Sequence, residues 1–272
     1  MPWGLMLMLW GGAGVARAQL EIVPDAAPQR LFEGAARPVK VIWRNPGANS
    51  VESEVRTRVY QATSATVVLL ADKPWKSLQV LPGQMVLEST LVDFPAVKAE
   101  TTFLVQWLEG TNRMLGCKEV LVYATNLLAE LKPLAGDRPV GIYDPPGQIK
   151  PTLRNLRVEF EDLENSSLAD FSGKLAVIGP FALRSQMPEG LANRIRALAK
   201  RGCAVVWIQP SPGERDKLQP SFHVLTESRG AVVVVQAGLM ADLLENPQSQ
   251  MNLVYFCRLA RGRACPMHTR NN

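Results

Sequence analysis

Residues 203–208 read CAVVWI and residues 231–235 read AVVVV, and these two stretches decide the fold of the C-terminal half. Each is a continuous apolar run of strand length. Because apolar and polar residues do not alternate within them, both faces of each strand are predicted to be buried. Strands of this kind are typical of the centre of a parallel sheet that is covered on both sides.

Other strands and helices alternate around these two runs. The helix predicted over Pro188–Arg201 places Leu191, Ile195 and Leu198 on one face and stops at Gly202. The remaining predicted elements are the strands Val140–Tyr143, Val158–Glu161 and Leu175–Pro180, and the helices Gln148–Leu156, Met240–Leu244 and Pro247–Ala260. A strand–helix alternation predicts an α/β, doubly wound, mostly parallel sheet.

The N-terminal half has a period of two instead. In Glu54–Tyr60 apolar and polar residues alternate, which indicates a strand with one buried and one solvated face. Strands are predicted at Leu20–Val23, Val39–Arg44, Glu54–Gln61, Thr66–Leu70, Trp75–Val80, Met85–Asp93, Thr102–Glu109 and Met114–Tyr123, with turns between them, one of which is Asp72-Lys73-Pro74. Short strands at regular spacing predict an all-β sandwich.

The chain begins with a pattern typical of a secretory signal peptide. Leu5–Val15 is a short apolar run, and Ala16-Arg17-Ala18 places small residues before a cut ahead of Gln19. No basic residue precedes the run, and the alternative is a buried N-terminal strand or helix. A signal peptide predicts an exported protein, periplasmic or secreted, that does not span the membrane after the signal is removed.

A length of 272 residues suits about two domains. We predict a signal peptide over 1–18, a β-sandwich domain over 19–125, a linker over 126–138, an α/β domain over 139–261 and a tail over 262–272. The pattern within 126–138, with Leu131-Lys132-Pro133 and then Gly136-Asp137-Arg138-Pro139, indicates the linker.

Composition excludes several functions. The formal net charge of +5 is scattered along the chain, so we predict no nucleic-acid partner. Two His and four Cys leave little material for a metal site, and no phosphate-binding loop follows any strand, so no cofactor or metal is expected. Cys203 and Cys257 are predicted to be buried thiols, and Cys257–Cys265 is the one local pair considered for a disulfide.

Ligands of an open α/β sheet bind at the carboxyl ends of its strands. That edge supplies the candidate ligand-binding residues, which are Asp144, Gly147, Gly179, Gln209, Ser211 and Gln236. Asp144 either binds a ligand or caps the turn that follows it, and the capping interpretation is favoured.

Parts of both halves resemble known families. Val41-Ile42-Trp43 supplies a core Trp on an early strand and Thr102–Trp107 resembles a central strand, as in an immunoglobulin-like or fibronectin-like sandwich. No Cys pair spans the predicted sheets, so an antibody-type domain is not indicated. Sandwich modules of this kind most often space, dock or present other domains.

The order of strand 175–180, helix 190–202 and strand 204–210 resembles class I glutamine amidotransferase-like domains, which have a flavodoxin-like sheet. In that family the second of these strands delivers a nucleophilic Cys on a tight elbow. Gln209 stands at that position here, and His223 is followed by Val-Leu-Thr-Glu rather than by the family's His-x-Glu pattern. The resemblance therefore implies a non-catalytic member.

Three other constellations have structural alternatives. Ser211 or Ser185 could form a Ser–His–acid catalytic triad with His223. The structural alternative is that Ser211 simply lies in a proline-rich turn. Glu159 and Glu161 could act as the paired carboxylates of glycoside hydrolysis. The structural alternative is that they lie on a solvated edge strand. The basic stretch 258–263 could contact an acidic surface. The structural alternative is that its cations stabilise a helix C-terminus through the helix dipole.

Three hypotheses for the function follow. The first is an exported, non-catalytic interaction or accessory module with an unknown protein or carbohydrate partner. The second is an exported hydrolase acting on a sugar or acyl substrate around Asp144, Gln209, Ser211 and His223. The third is a membrane-associated component whose larger partner supplies the activity.

Overall fold

A computed structural model describes residues 20–165, 167–181, 183–210 and 222–264. The predicted signal peptide, Ser211 and Cys265 lie outside these ranges. The chain divides into two compact units, with the break between Leu121 and Val122. Two short earlier segments, Arg30–Glu33 and Pro95–Glu100, belong to the second unit.

The structure is mostly β, and the strands up to residue 123 form two sheets. They are β1 (Glu21–Ile22), β2 (Gln29–Phe32), β3 (Gly34–Arg44), β4 (Val51–Ala62), β5 (Val67–Val80), β6 (Met85–Phe94), β7 (Thr101–Glu109) and β8 (Arg113–Tyr123). One sheet has the order β1-β3-β6 and the other β2-β8-β7-β4-β5. β3 with β6, and β4 with both β5 and β7, are paired antiparallel.

The predicted alternation in β4 is confirmed. Val55, Thr57 and Val59 are buried, and the arginines between them are not. One face of β4 therefore packs into a core while the other carries Arg56 and Arg58, which both pair with Asp72 on β5.

Two tryptophans bring the sheets of the first unit face to face. Trp43 on β3 and Trp107 on β7 are fully buried, and their rings meet edge to face with centroids 6.2 Å apart. The indole N–H of Trp107 donates to Thr90 Oγ1 on β6 over 2.9 Å. Trp43 thus lies in the core, as predicted, and an aromatic pair joins the two sheets.

The predicted turn at Asp72-Lys73-Pro74 is wrong. β5 runs through it without a break from Val67 to Val80. The pairing with β4 shifts register where Val55 and Arg56 face Lys76 and Pro74, which is a bulge. β5 ends the order of its sheet, and a proline is tolerated at a bulge on an edge strand because it has no N–H to donate there.

The second unit contains a six-stranded mixed sheet. Its strands are β9 (Val140–Tyr143), β10 (Phe160–Asp162), β11 (Leu175–Ile178), β12 (Ala204–Gln209), β13 (Phe222–Thr226) and β14 (Ala231–Gln236). Their order is β10-β9-β11-β12-β14-β13, with only β13 antiparallel to its neighbour among these pairings. β13 is absent from the sequence-based expectations, because its residues Phe-His-Val-Leu-Thr are exposed or half-buried and do not form the long apolar run that marks β12 and β14.

Helices cover both faces of this sheet. They are α1 (Leu131–Ala135), α2 (Lys150–Asn155), α3 (Leu191–Lys200) and α4 (Pro247–Ala264). Ala204, Val206 and Ile208 of β12 share a core with residues of α1, α2 and α4, whereas Val205 and Trp207 share another with residues of α3. This two-sided burial confirms the interpretation of the run CAVVWI.

The prediction of buried thiols is also confirmed. Cys203 and Cys257 are 4% and 0% exposed, and both are free. Burial away from water disfavours the thiolate, which raises the pKa of Cys203 to about 12 and raises that of Cys257 as well.

The segment predicted as a linker, residues 126–138, folds into helical turns. A 3-10 turn over Leu127–Glu130 leads into α1, and Leu128 and Leu131 are fully buried in the second unit. Pro133 is compatible with this because it occupies the first turn of α1, where the backbone N–H groups need no intrahelical acceptor. In the final turns of α4, Arg258 pairs with Glu130.

We expect Thr90→Val to destabilise the protein by about 1–3 kcal/mol, because it leaves the buried Trp107 N–H without an acceptor. Thermal and urea unfolding would measure the change. Thr57→Val is the matched control, since Thr57 is equally buried but its Oγ1 has no partner among the described residues. It should leave stability unchanged or raise it, and equal losses in both variants would contradict the assigned hydrogen bond.

Candidate functional site at the carboxyl edge of the parallel sheet

The parallel strands bring most of the predicted site residues to one edge of the six-stranded sheet. Asp144 follows β9, Gly179 follows β11, and Gln209 and Gln236 end β12 and β14. Gln209 and Gln236 are direct cross-strand partners. Gly147 lies in the turn after β9, and Ser211 falls outside the described residues.

Asp144 caps the chain that follows it. It is 1% exposed, and its Oδ1 accepts the backbone N–H of Gln148 at 3.1 Å. Its Oδ2 accepts those of Ile149 at 2.6 Å and Lys150 at 3.0 Å. Both carboxylate oxygens therefore hold the start of α2, as the capping interpretation expects.

Gly147 completes the turn between β9 and α2. It has a φ of +70°, and its N–H donates to the carbonyl of Asp144 at 3.0 Å. A glycine is suited to this left-handed position, so its role here is conformational.

A buried lysine joins this turn to the strand beside it. Lys150 Nζ donates to Asp162 at 2.8 Å and to Glu164, and its side chain is 8% exposed. Glu164 also accepts the N–H of Asp144 at 3.0 Å. One network therefore links the end of β9, the start of α2 and the end of β10.

The charges of this network shift the pKa values of its members. The hydrogen bond from Lys150 holds the pKa of Asp162 below its usual 3.8, against a smaller effect of burial. Burial works against the charged form of Lys150, but the hydrogen bonds and charges of Asp162 and Glu164 together outweigh it, and the pKa of Lys150 is raised. Lys150 and Asp162 are therefore both charged at neutral pH.

Gly179 allows a close approach between two strand ends. Its φ is +95°, and a Cβ at this position would lie 2.3 Å from the carbonyl oxygen of Ile208 on β12. Any other residue would push β11 and β12 apart at the carboxyl edge. Gly179 therefore shapes the edge through its missing side chain.

A cleft of about 570 Å³ opens at this edge. It is lined by α2, by the residues after β11 and by the segment 237–244 after β14. Its apolar side chains include Phe181, Met240 and Leu243, and Gln148, Thr152 and Asp242 supply polar groups. A mostly apolar wall with a few polar groups suits binding of a small ligand or a partner's side chain.

Sequence reasoning identified the edge but not these cleft residues. Segment 237–244 includes a 3-10 turn over Ala237–Met240 and a left-handed residue, Asp242, with a φ of +54°. Neither feature has a sequence signal, and Thr152 becomes part of the wall only because α2 starts at the Asp144 cap.

The structure does not bring the predicted His and acid together. His223 lies exposed on β13, opposite Val234 of β14. β13 is four strand spacings from β9, so the backbones of His223 and Asp144 are about 19 Å apart. That distance is far beyond hydrogen-bond reach.

Glu159 and Glu161 agree with a solvated edge strand. They lie just before and within β10, which ends the order of the sheet. Glu159 is exposed and pairs at 3.8 Å with the exposed Lys132. Within residues 20–165, 167–181, 183–210 and 222–264, no group of three or more His, Cys, Asp or Glu side chains is placed to hold a metal ion.

The helices in the part of the chain that the structure describes are short or polar. None of them combines the length and the apolar character needed to cross a membrane.

No family model and no curated protein matches this chain. Among solved structures it is similar to a β-glucosidase from Listeria innocua, with 14% identity over 40% of this chain and 17% of that chain, at a TM-score of 0.29. It is also similar to the CsuC–CsuE chaperone–tip adhesion subunit complex of Acinetobacter baumannii, with 10% identity over 42% and 61% and a TM-score of 0.29. The sporulation control protein Spo0M of Bacillus subtilis gives 11% identity over 43% and 56%, with a TM-score of 0.28.

This chain spans less than two thirds of the length of each of these structures. Similarities at this level define neither a shared fold nor a function.

We expect Asp144→Asn to lower the free energy of unfolding by about 1.5–3 kcal/mol, because an amide cannot accept all three N–H groups as a carboxylate does. Urea unfolding would measure the loss. Glu159→Gln removes a carboxylate that is 76% exposed and should change stability by no more than about 0.5 kcal/mol. Equal stability of Asp144→Asn and the wild type would show that the cap is not formed.

We expect Lys150→Met to destabilise the protein at neutral pH by about 1–2 kcal/mol, less than for a fully buried pair because solvent reaches both carboxylates. The folded-state pKa of Asp162 is lowered, so its contribution is present above the ordinary value of 3.8 and is lost as pH falls through the lowered value. The difference from wild type should therefore shrink below about pH 4.

Urea midpoints measured across this pH range would follow the effect. Lys174→Met is the control, because Lys174 pairs at 3.3 Å with an Asp137 side chain that is 93% exposed. A Lys150→Met deficit that grows on acidification would be the wrong sign for this network.

Proposed function

We propose that this protein is an exported, non-catalytic interaction module. It combines an immunoglobulin-like β-sandwich with an α/β domain that resembles class I glutamine amidotransferases and lacks their nucleophile. The cleft at the carboxyl edge of the α/β sheet receives a carbohydrate or a side chain of a partner protein.

The arrangement of each unit supports this pair of folds. In the first unit, Trp43 and Trp107 join two facing antiparallel sheets. In the second, the five parallel strands β10-β9-β11-β12-β14, counted along the chain without the antiparallel β13, have the order 2-1-3-4-5, which is the order of flavodoxin-like sheets. Helices on both faces agree with a doubly wound sheet.

The proposed loss of catalysis rests on the residues at the strand ends. Gln209 ends β12, where the amidotransferase family has its nucleophilic Cys, and a carboxamide is a poor nucleophile. Cys203 precedes the opposite end of the same strand. Burial keeps it a thiol rather than a reactive thiolate, with its pKa raised to about 12.

The state of Asp144 is the single observation that carries the proposal. It is the one acid among the candidate residues, and its two oxygens are occupied by three backbone N–H groups at 1% exposure. A carboxylate held in this way stabilises the wall of a cleft rather than transferring protons. Export is proposed from the apolar run and the Ala-Arg-Ala site alone.

Assays with chromogenic esters, amides and glycosides test the absence of catalysis. We expect no saturable turnover by the wild type. Turnover that is lost in a Ser211→Ala/His223→Ala variant would establish the alternative, an exported hydrolase.

Binding at the cleft has a separate test. Ala241 is an exposed residue of the cleft wall, and Ala241→Trp should fill part of the space. We expect the wild type to bind cellobiose, maltose, chitobiose or a partner from the exported fraction. The Ala241→Trp variant should lose this binding. Ala192→Trp, an exposed position on α3, is the control and should retain it. Binding that survives Ala241→Trp unchanged would exclude the cleft.

A further inference from the structure

The cleft at the carboxyl edge of the six-stranded sheet carries charge of one sign. Among the described residues that line it, Asp242 has the one ionisable side chain, and none is a Lys, Arg or His. The side chains of Gln148 and Thr152 are polar, and the others are apolar. The wall therefore combines apolar area with a single carboxylate and no cation to balance it.

Other acids at this edge are engaged by the fold, whereas Asp242 is not. Asp144 accepts three backbone N–H groups, and Asp162 and Glu164 both pair with Lys150. Asp242 is exposed, and its carboxylate makes no hydrogen bond or ion pair with any residue that the structure describes. Its oxygens are therefore open to a ligand.

The backbone that carries this carboxylate is held in place. The carbonyl of Asp242 accepts the N–H of Glu245 at 3.0 Å and that of Asn246 at 2.8 Å. Met240 and Leu243, close to it in the chain, are each 5% exposed and anchor the segment in the core. The carboxylate is thus attached to a fixed part of the cleft wall.

We propose that the cleft binds a cation carried on an apolar stem, an alkylammonium or alkylguanidinium group. An apolar ligand in the cleft removes water from around Asp242, and covering a carboxylate in this way is costly unless the ligand supplies a compensating charge or donor. A sugar hydroxyl can donate to a carboxylate but leaves its charge unbalanced, and an anionic ligand is repelled. This inference rests on the proposed function, because it names the ligand of the same cleft.

Two sources can supply this chemistry. The cleft of about 570 Å³ falls within the range of roughly 300–1,000 Å³ found for small-ligand sites. It therefore has room for a free amine, and also for a partner's lysine or arginine side chain together with an apolar neighbour.

Hexylammonium, hexanol and hexanoate are probes of matched length that test the preference for a cation. NMR titration of the full chain at neutral pH would measure their affinities. We expect the wild type to bind hexylammonium most tightly and hexanoate most weakly. Asp242→Asn should weaken hexylammonium binding by about three- to tenfold, the effect of a charged hydrogen bond in a partly exposed site, and leave hexanol binding unchanged. Added salt should weaken hexylammonium binding alone.

A capped leucyl-lysine dipeptide distinguishes the two sources. Tighter binding of the dipeptide than of hexylammonium would identify a partner's basic side chain as the ligand, and the reverse order would identify a free amine. Both results support a cation site.

The variants have matched controls. Asn tolerates the left-handed φ of +54° at position 242 as Asp does, so Asp242→Asn should fold, and thermal unfolding would check it. Glu159→Gln removes the same charge at the opposite edge of the sheet, just before β10, where the carboxylate is 76% exposed. It should bind hexylammonium like the wild type.

Equal binding of the three probes by the wild type, or an unchanged hexylammonium affinity in Asp242→Asn, would overturn the cation site. If Ala241→Trp still abolished binding in that case, the cleft itself would stand as a binding site. Hexylammonium binding that survives Ala241→Trp would instead exclude the cleft and the proposed function with it. If the wild type bound no probe, the cation site would be overturned, and the disaccharides and exported partners would decide the proposed function separately.

Discussion

The burial of β12 on both faces is the constraint on which the second unit depends. Ala204, Val206 and Ile208 fill one core, and Val205 and Trp207 fill the other. A strand of this kind has no solvated face, so helices have to cover both sides of its sheet. Once both faces are covered, the strand ends are where a site can open. The cleft lies at the carboxyl edge for this reason rather than because of any particular reactive side chain.

At that edge the polar groups are used mainly to hold the backbone in place. Asp144 holds the start of α2, Lys150 ties it to the end of β10, and Gly179 lets β11 approach β12. These contacts position α2 and the end of β11, which lie at two walls of the cleft. The same contacts occupy the charged groups, because both oxygens of Asp144 accept backbone N–H groups and Lys150 donates to two carboxylates. Shape, apolar area and the polar groups of the wall, Asp242 among them, are what remain for recognition.

The sequence predicted those features that depend on residues close together in the chain. The runs 203–208 and 231–235, the alternation in 54–60 and the helix around Ile195 each carry their own period, and each is found. Features set by distant partners were missed or misread. The proline of Asp72-Lys73-Pro74 indicates a turn, but in the structure β5 pairs with β4 through a bulge that accommodates this proline. Likewise, 126–138 resembles a linker until a core receives Leu128 and Leu131. The cleft residues Thr152 and Asp242 have no local signal at all.

The edges of the sheets differ in the side chains that they expose. In the six-stranded sheet, the edge strand β10 carries Glu161 and Asp162, whereas the edge strand β13 carries His223 and Thr226 beside an exposed Phe222. Charged side chains such as those of β10 protect an edge against pairing with another chain. The second half of β5 is protected by Asp72 and Pro74. The start of β5 and the edge strand β6 instead expose apolar side chains, among them Val67 and Val68 on β5 and Leu87 and Leu91 on β6.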